Sequence, residues 1–161
     1  MGPRIKFCGM TRPEDIEVAL ALGVDFLGLI LVPESPRALD ARQALALRRQ
    51  IGSRAQVVLL TRDAEAATVA TLAETLAPDV LQFHGREDAA FCAAFGRPWW
   101  KAVPMGELVT RTELDDFERS FRNAHRLLFD SHGGAIPGAA AIVSTGTASP
   151  TSPATMCWQV G

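Results

Sequence analysis

Short apolar runs alternate with amphipathic stretches along most of the chain. "RIKF" (4–7), "DFLGLILV" (25–32), "AQVVLL" (55–60), "DVLQFHG" (79–85), "WWKAV" (99–103) and "HRLLFDS" (125–131) are brief and nearly continuous in apolar character. Strands buried on both faces read this way. Between them the apolar residues recur at three- and four-residue spacing. Ile16, Ala19 and Leu20 share one helical face, Leu47 and Ile51 another, and Leu114, Phe117 and Phe121 a third. Further helices are expected over about 63–76, stopped by Pro78, and over 87–96. End signals accompany the pattern. Thr11 and Glu14 have capping-box spacing, as do Asp40 and Gln43, while Gly23 and Gly52 supply stops.

Six strands therefore alternate with five helices, and the strands begin roughly every 24 residues. Strict alternation predicts right-handed βαβ crossovers and a parallel sheet. Two architectures share that pattern, an open doubly wound sheet and a closed eightfold barrel, and periodicity does not separate them.

Composition narrows the function more than the fold. At 161 residues the chain is long enough for one domain with its own core. A net charge of −2 provides no basic footprint for nucleic acid. No apolar run approaches a membrane span, and the polar N-terminus lacks a signal-peptide pattern. Cys8, Cys92 and Cys157 have neither zinc-ligand spacing nor the even count of a disulfide framework. A soluble, cytoplasmic protein of a reducing compartment is the expectation, with no nucleic-acid or membrane partner.

In either architecture chemistry gathers at the carboxyl ends of the strands, where the loops converge. Those positions hold Cys8, then "PESPR" (33–37), then Gln82 and His84, and finally Asp130. Each has an ordinary reading: a buried cysteine, a solvated arginine, a structural histidine, an aspartate that closes a turn. Their recurrence at equivalent strand ends is the informative part. Cys8 is expected to sit in a turn, facing solvent.

On "KFCGMTRPED" (6–15), "ALGVDFLGLILVPESPRAL" (21–39), "DVLQFHG" (79–85), "KAV" (101–103) and "LLFDSHGG" (127–134), the chain resembles the phosphoribosylanthranilate isomerase family of tryptophan biosynthesis. The resemblance covers about residues 4–134 and implies a TIM-type (βα)8 barrel. It implies an Amadori rearrangement, from N-(5-phosphoribosyl)anthranilate to 1-(2-carboxyphenylamino)-1-deoxyribulose 5-phosphate. By resemblance, Cys8 is the general base, Asp130 the general acid, and Arg37 the partner of the anthranilate carboxylate. Gln82 and His84 line the mouth. Lys6, two residues before Cys8 on the same strand face, is a candidate cationic neighbour. The acid must hold a proton for the furanose ring oxygen, and the base needs thiolate character to take one from the adjacent sugar carbon. The chemistry implies no metal and no cofactor.

After Gly134 the chain departs from the family. "GAAA" (138–141) stands where the family carries a glycine-rich phosphate loop, and "STGTASPTSPAT" (144–155) shows no helical period. The expectation is an incomplete barrel of about six βα units over residues 1–143, followed by an irregular tail over 144–161. Two open sheet edges would then invite self-association. Three readings follow: the isomerase, impaired by the missing phosphate loops; a non-catalytic barrel remnant stabilised by self-association or a partner; and an unrelated open α/β phosphate-binding module.

Overall fold

Every pairing in the sheet is parallel, and the strand order is nearly the order of the sequence. The computed structural model describes residues 3–108, 110–130 and 157–160. Along the chain run β1 (Arg4–Cys8), α1 (Pro13–Ala21), β2 (Phe26–Ile30), α2 (Ala41–Ile51), β3 (Gln56–Thr61) and α3 (Ala66–Leu76). They are followed by β4 (Val80–Phe83), α4 (Ala89–Ala93), β5 (Trp99–Pro104), α5 (Arg111–Ser120), β6 (Arg126–Asp130) and β7 (Cys157–Val160). The sheet order is β6-β5-β4-β3-β2-β1-β7.

That order decides between the two architectures. Each right-handed crossover from β1 to β6 steps one strand in the same direction, which puts all the helices on one side. A doubly wound sheet reverses its order partway and covers both faces. The described strands therefore form part of a (βα)8-type barrel, with one covered and one inner face.

Strand alternation sorts the residues between those faces. Leu27, Leu29, Val57, Leu59, Leu81, Phe83 and Trp99 pack beneath Ile16, Ala44, Leu47, Ile51, Val69 and Leu76 of the helices. Cys8, Ile30 and Leu60, and separately Phe26, Val58, Val80 and Trp100, make two smaller clusters on the inner face.

Several element starts differ from the sequence pattern. α1 begins at Pro13 with Arg12 as N-cap and no side-chain capping bond. Proline takes the first helical position, where its missing N–H costs nothing, and this leaves Thr11 one residue outside the cap. α3 begins at Ala66 rather than near Asp63, because Asp63 has a left-handed φ of 49° and its carboxylate accepts from the Arg86 N–H. α4 is only five residues long and is capped by Asp88. The Asp40–Gln43 capping box forms as expected, and Thr110–Glu113 forms a second one at α5.

The tail differs too. Four of the residues expected to be irregular, Cys157–Val160, form β7 and pair in parallel with β1, from Arg4↔Cys157 to Phe7↔Val160. The edge of β1 expected to be open is thus covered. "CWQV" is rich in strand formers, and β1 offers an unpaired row of backbone groups to any such segment. The "GAAA" stretch and the boundary at 143/144 lie outside the described residues.

Candidate active site at the carboxyl ends of the strands

Because the strands are all parallel, the last residues of β1 and β6 lie at the same end of the sheet. Cys8 closes β1, and Asp130 closes β6 opposite Pro104 of β5. By alternation residue 130 holds an inner-face position with Arg126 and Leu128; the Asp130 side chain lies outside what is described.

Cys8 is not solvent-facing. It is 4% exposed and packs with Ile30, Val32 and Leu60. The structure corrects the turn placement for a simple reason: β1 runs one residue further than its apolar run suggests, and inner-face neighbours close around the thiol. Gly28 is its partner across the β1–β2 ladder, and a Cβ there would stand 2.8 Å from Cys8 Sγ. Space for the sulfur depends on that missing side chain.

Arg37 reaches this strand end from the loop after β2. Its backbone N–H donates to Ser35 Oγ at 3.2 Å, and its Nη1 donates to the Cys8 carbonyl at 3.1 Å. The loop is drawn in because Leu39 N–H donates to Ile30 O at 2.8 Å and Ala38 bridges to Ile30. The side chain crosses Gly9, whose φ is 79° and whose absent Cβ would lie 2.7 Å from Arg37 Cδ. One bond to Cys8 leaves further guanidinium donors for another acceptor.

Lys6 shares the inner face with Cys8, is 1% exposed, and its Nζ has no hydrogen-bond partner among the described residues. Gln82 is fully buried on β4; its Nε2 contacts His84 Nε2, and its Oε1 has no partner among the described residues. Cys8, Lys6, Arg37, Gln82 and His84 thus share the inner face or its carboxyl-end rim.

Sequence reasoning missed one cluster at the same end. Lys101 Nζ and Glu87 Oε2 form a buried ion pair at 2.9 Å between β5 and the turn after β4. A lysine within the apolar run "WWKAV" was the available signal.

A cleft of about 620 Å³ lies at the other end of the sheet, lined by Arg4, Asp25, Arg48, Arg54 and Asp79 among others. Its cations are matched, Arg4 with Asp25 at 3.0 Å, Arg48 with Asp79 at 3.8 Å, and Arg54 with Glu17 at 2.8 Å. That end reads as structural. Among the described residues no group of His, Cys, Asp and Glu is arranged to hold a metal ion.

A family model described as N-(5'-phosphoribosyl)anthranilate isomerase matches residues 5–138. A relative named N-(5'-phosphoribosyl)anthranilate isomerase from Xanthomonas euvesicatoria is 43% identical over 139 residues, covering 84% of this chain and 61% of the relative. One of the same name from Xylella fastidiosa is 42% identical over 130 residues, covering 80% and 59%. The chain therefore spans about three fifths of the length of these relatives. A solved phosphoribosyl anthranilate isomerase from Thermus thermophilus superposes with a TM-score of 0.67 at 35% identity, over 78% of this chain and 60% of that one. Another, in complex with reduced 1-(o-carboxyphenylamino)-1-deoxyribulose 5-phosphate, gives a TM-score of 0.71 at 22% identity, over 80% and 66%, and bears on the fold alone.

Proposed function

We propose, since this chain belongs to the N-(5'-phosphoribosyl)anthranilate isomerase family, that its strand ends carry the acid–base part of that Amadori rearrangement. Asp130 protonates the furanose ring oxygen, and the ring opens to a Schiff base. Cys8 then removes the proton from the adjacent sugar carbon, and the resulting enolamine tautomerises to the ketone. Arg37 receives the anthranilate carboxylate on its remaining donors, a task suited to a planar fork. Lys6 brings positive charge to the face that Cys8 occupies, and Gln82 and His84 line the mouth. No metal or redox cofactor enters these steps.

The observation that carries the reading is the placement of Arg37. Its guanidinium is tied to the carbonyl of Cys8, which brings the carboxylate-binding group and the base to one strand end. The burial of Cys8 keeps bulk water off the thiol, and the substrate then enters beside Arg37. The phosphate-bearing end of the substrate lacks its family loop, since the sequence there reads "GAAA". Binding energy from that remote group would hold the sugar near Cys8 and Asp130, so turnover by this chain is expected to be reduced. Such an enzyme works in the cytoplasm, and among the described residues no helix is long and apolar enough to cross a membrane.

Complementation tests the reading. Expression of this chain in a tryptophan auxotroph lacking the step should restore slow growth, and Cys8→Ala should abolish it. No growth from a chain that accumulates in the cell would remove the activity.

A second reading, a barrel remnant completed by self-association or a partner, draws on a different observation. Among the described residues the buried side-chain polar atoms without partners are Lys6 Nζ, Gln82 Oε1, Trp100 Nε1 and Arg126 Nε, and all four belong to inner-face positions. Buried polar groups ordinarily have partners. Sedimentation that finds this chain monomeric at all concentrations would remove self-association.

A further inference from the structure

The turn after β4 is gripped at one residue, Gly85, through both of its backbone polar groups. Gly85 N–H donates to Glu87 Oε2 at 2.9 Å, and Gly85 C=O accepts from Lys101 Nζ at 2.7 Å. The two side chains that hold it are themselves paired at 2.9 Å, with 3% and 2% of their surfaces exposed. Glu87 Oε1 reaches across to the loop after β3, where it accepts from Asp63 N–H at 2.7 Å. Asp63 returns the contact, accepting from Arg86 N–H at 2.6 Å. One carboxylate therefore ties together the loop after β3, the turn after β4, and β5.

The fit leaves no slack. A Cβ on Gly85 would stand 2.1 Å from Asp63 Oδ1, and Asp63 adopts a left-handed backbone to reach its place. Stability is a weak reason for the pair. A buried ion pair is often no better for folding than apolar residues of the same volume, because both charges must leave water. What a fully bonded buried carboxylate provides is a unique geometry. The residue before Gly85 is His84, whose N–H donates to Thr61 O at 3.0 Å and whose ring contacts Gln82.

We infer that Glu87, charged and paired with Lys101, is a positioning residue that fixes the β4–α4 turn and so holds His84 and Gln82 in place at the carboxyl-end mouth. The inference rests on the isomerase reading for what the mouth binds, but the clamp itself stands on geometry independent of it.

Amide hydrogen exchange and the His84 ring NMR signals test the clamp without any turnover. Glu87→Gln keeps the volume and one acceptor oxygen, but its amide hydrogens replace the acceptor shared by Gly85 N–H and the Lys101 ammonium. Exchange at Gly85 and Asp63 should rise on the order of tenfold, while Val58 and Leu59 in β3 keep their protection. The His84 signals should shift with it. Unchanged exchange at Gly85, or unchanged His84 signals, would overturn the inference. If Glu87→Gln does not fold, Glu87→Gln combined with Lys101→Met leaves no unpaired buried charge and takes its place in the same measurements.

Binding of reduced 1-(o-carboxyphenylamino)-1-deoxyribulose 5-phosphate separates the two claims. Weaker binding to the variant than to the parent supports a positioning role, and equal binding overturns it. A parent chain that does not bind the analogue counts against the isomerase reading; the exchange and His84 signals then decide the clamp alone.

Discussion

Gly28 faces Cys8 across the β1–β2 ladder so closely that a methyl group there would stand 2.8 Å from the sulfur and 3.1 Å from the Cys8 Cα. The second contact is to backbone, so a turn of the Cys8 side chain does not relieve it. Gly28→Ala should destabilise the protein by about 1–3 kcal/mol, as overpacked cores do. Denaturant unfolding would show it as a lowered midpoint at constant slope. A midpoint equal to the parent's would mean that β2 moves away freely.

Asp130→Asn should leave folding nearly unchanged and lower any isomerase turnover by about 10²–10⁴-fold, because Asn has the shape of Asp but no proton to deliver. The comparison is made on purified protein with the parent alongside. Turnover within a few-fold of the parent would assign the acid to another group.

Cys92 is a thiol of another kind. It lies in the outer core, 1% exposed, and burial, outweighing the nearby Lys101 charge, pushes its pKa up to about 12 from 9.0. The native state therefore keeps its proton at pH values where the unfolded chain has lost it. Its stabilising effect is complete below about pH 9 and is lost as pH rises towards about 12. Unfolding free energies measured across that range should decline for the parent and decline less for Cys92→Ala. Equal slopes would show that Cys92 ionises normally in the fold.

β7 covers the edge of β1 along Arg4–Phe7. Removing residues 157–161 returns a row of unpaired backbone groups to solvent, and exposed parallel edges associate. Sedimentation velocity should then show greater concentration-dependent self-association than the parent chain shows. Identical profiles would mean that β7 does not protect that edge in solution.

Much of the scaffold was legible because its signals are local. The run "FLGLI" is apolar at every position, as a strand buried on both faces must be, and it forms β2. Asp40 and Gln43 cap α2 from four residues of sequence alone. Elsewhere a local signal was outvoted. Asp63 could have opened α3, but its carboxylate is taken by Arg86, a residue far along the chain, and the helix starts later. The tail was read from "STGTASPTSPAT", which offers nothing to bury, whereas the four residues that form β7 find their reason in the edge of β1.

At the site the division is similar. The motifs named Cys8, Arg37, Gln82, His84 and Asp130, because residue identity and spacing along one strand or loop are written in the chain. Hydrophobic periodicity also determined that parallel strands alternate with helices. Periodicity left the strand order open and the family resemblance implied a barrel; the tertiary structure shows the order itself running in one direction, since a strand's neighbours depend on pairing between segments far apart. It alone buried Cys8 against Gly28, joined Arg37 to the Cys8 carbonyl, and brought Asp63, Gly85 and Lys101 onto the Glu87 carboxylate. Those contacts cross from strand to strand, and their energies depend on burial that no short window of sequence contains.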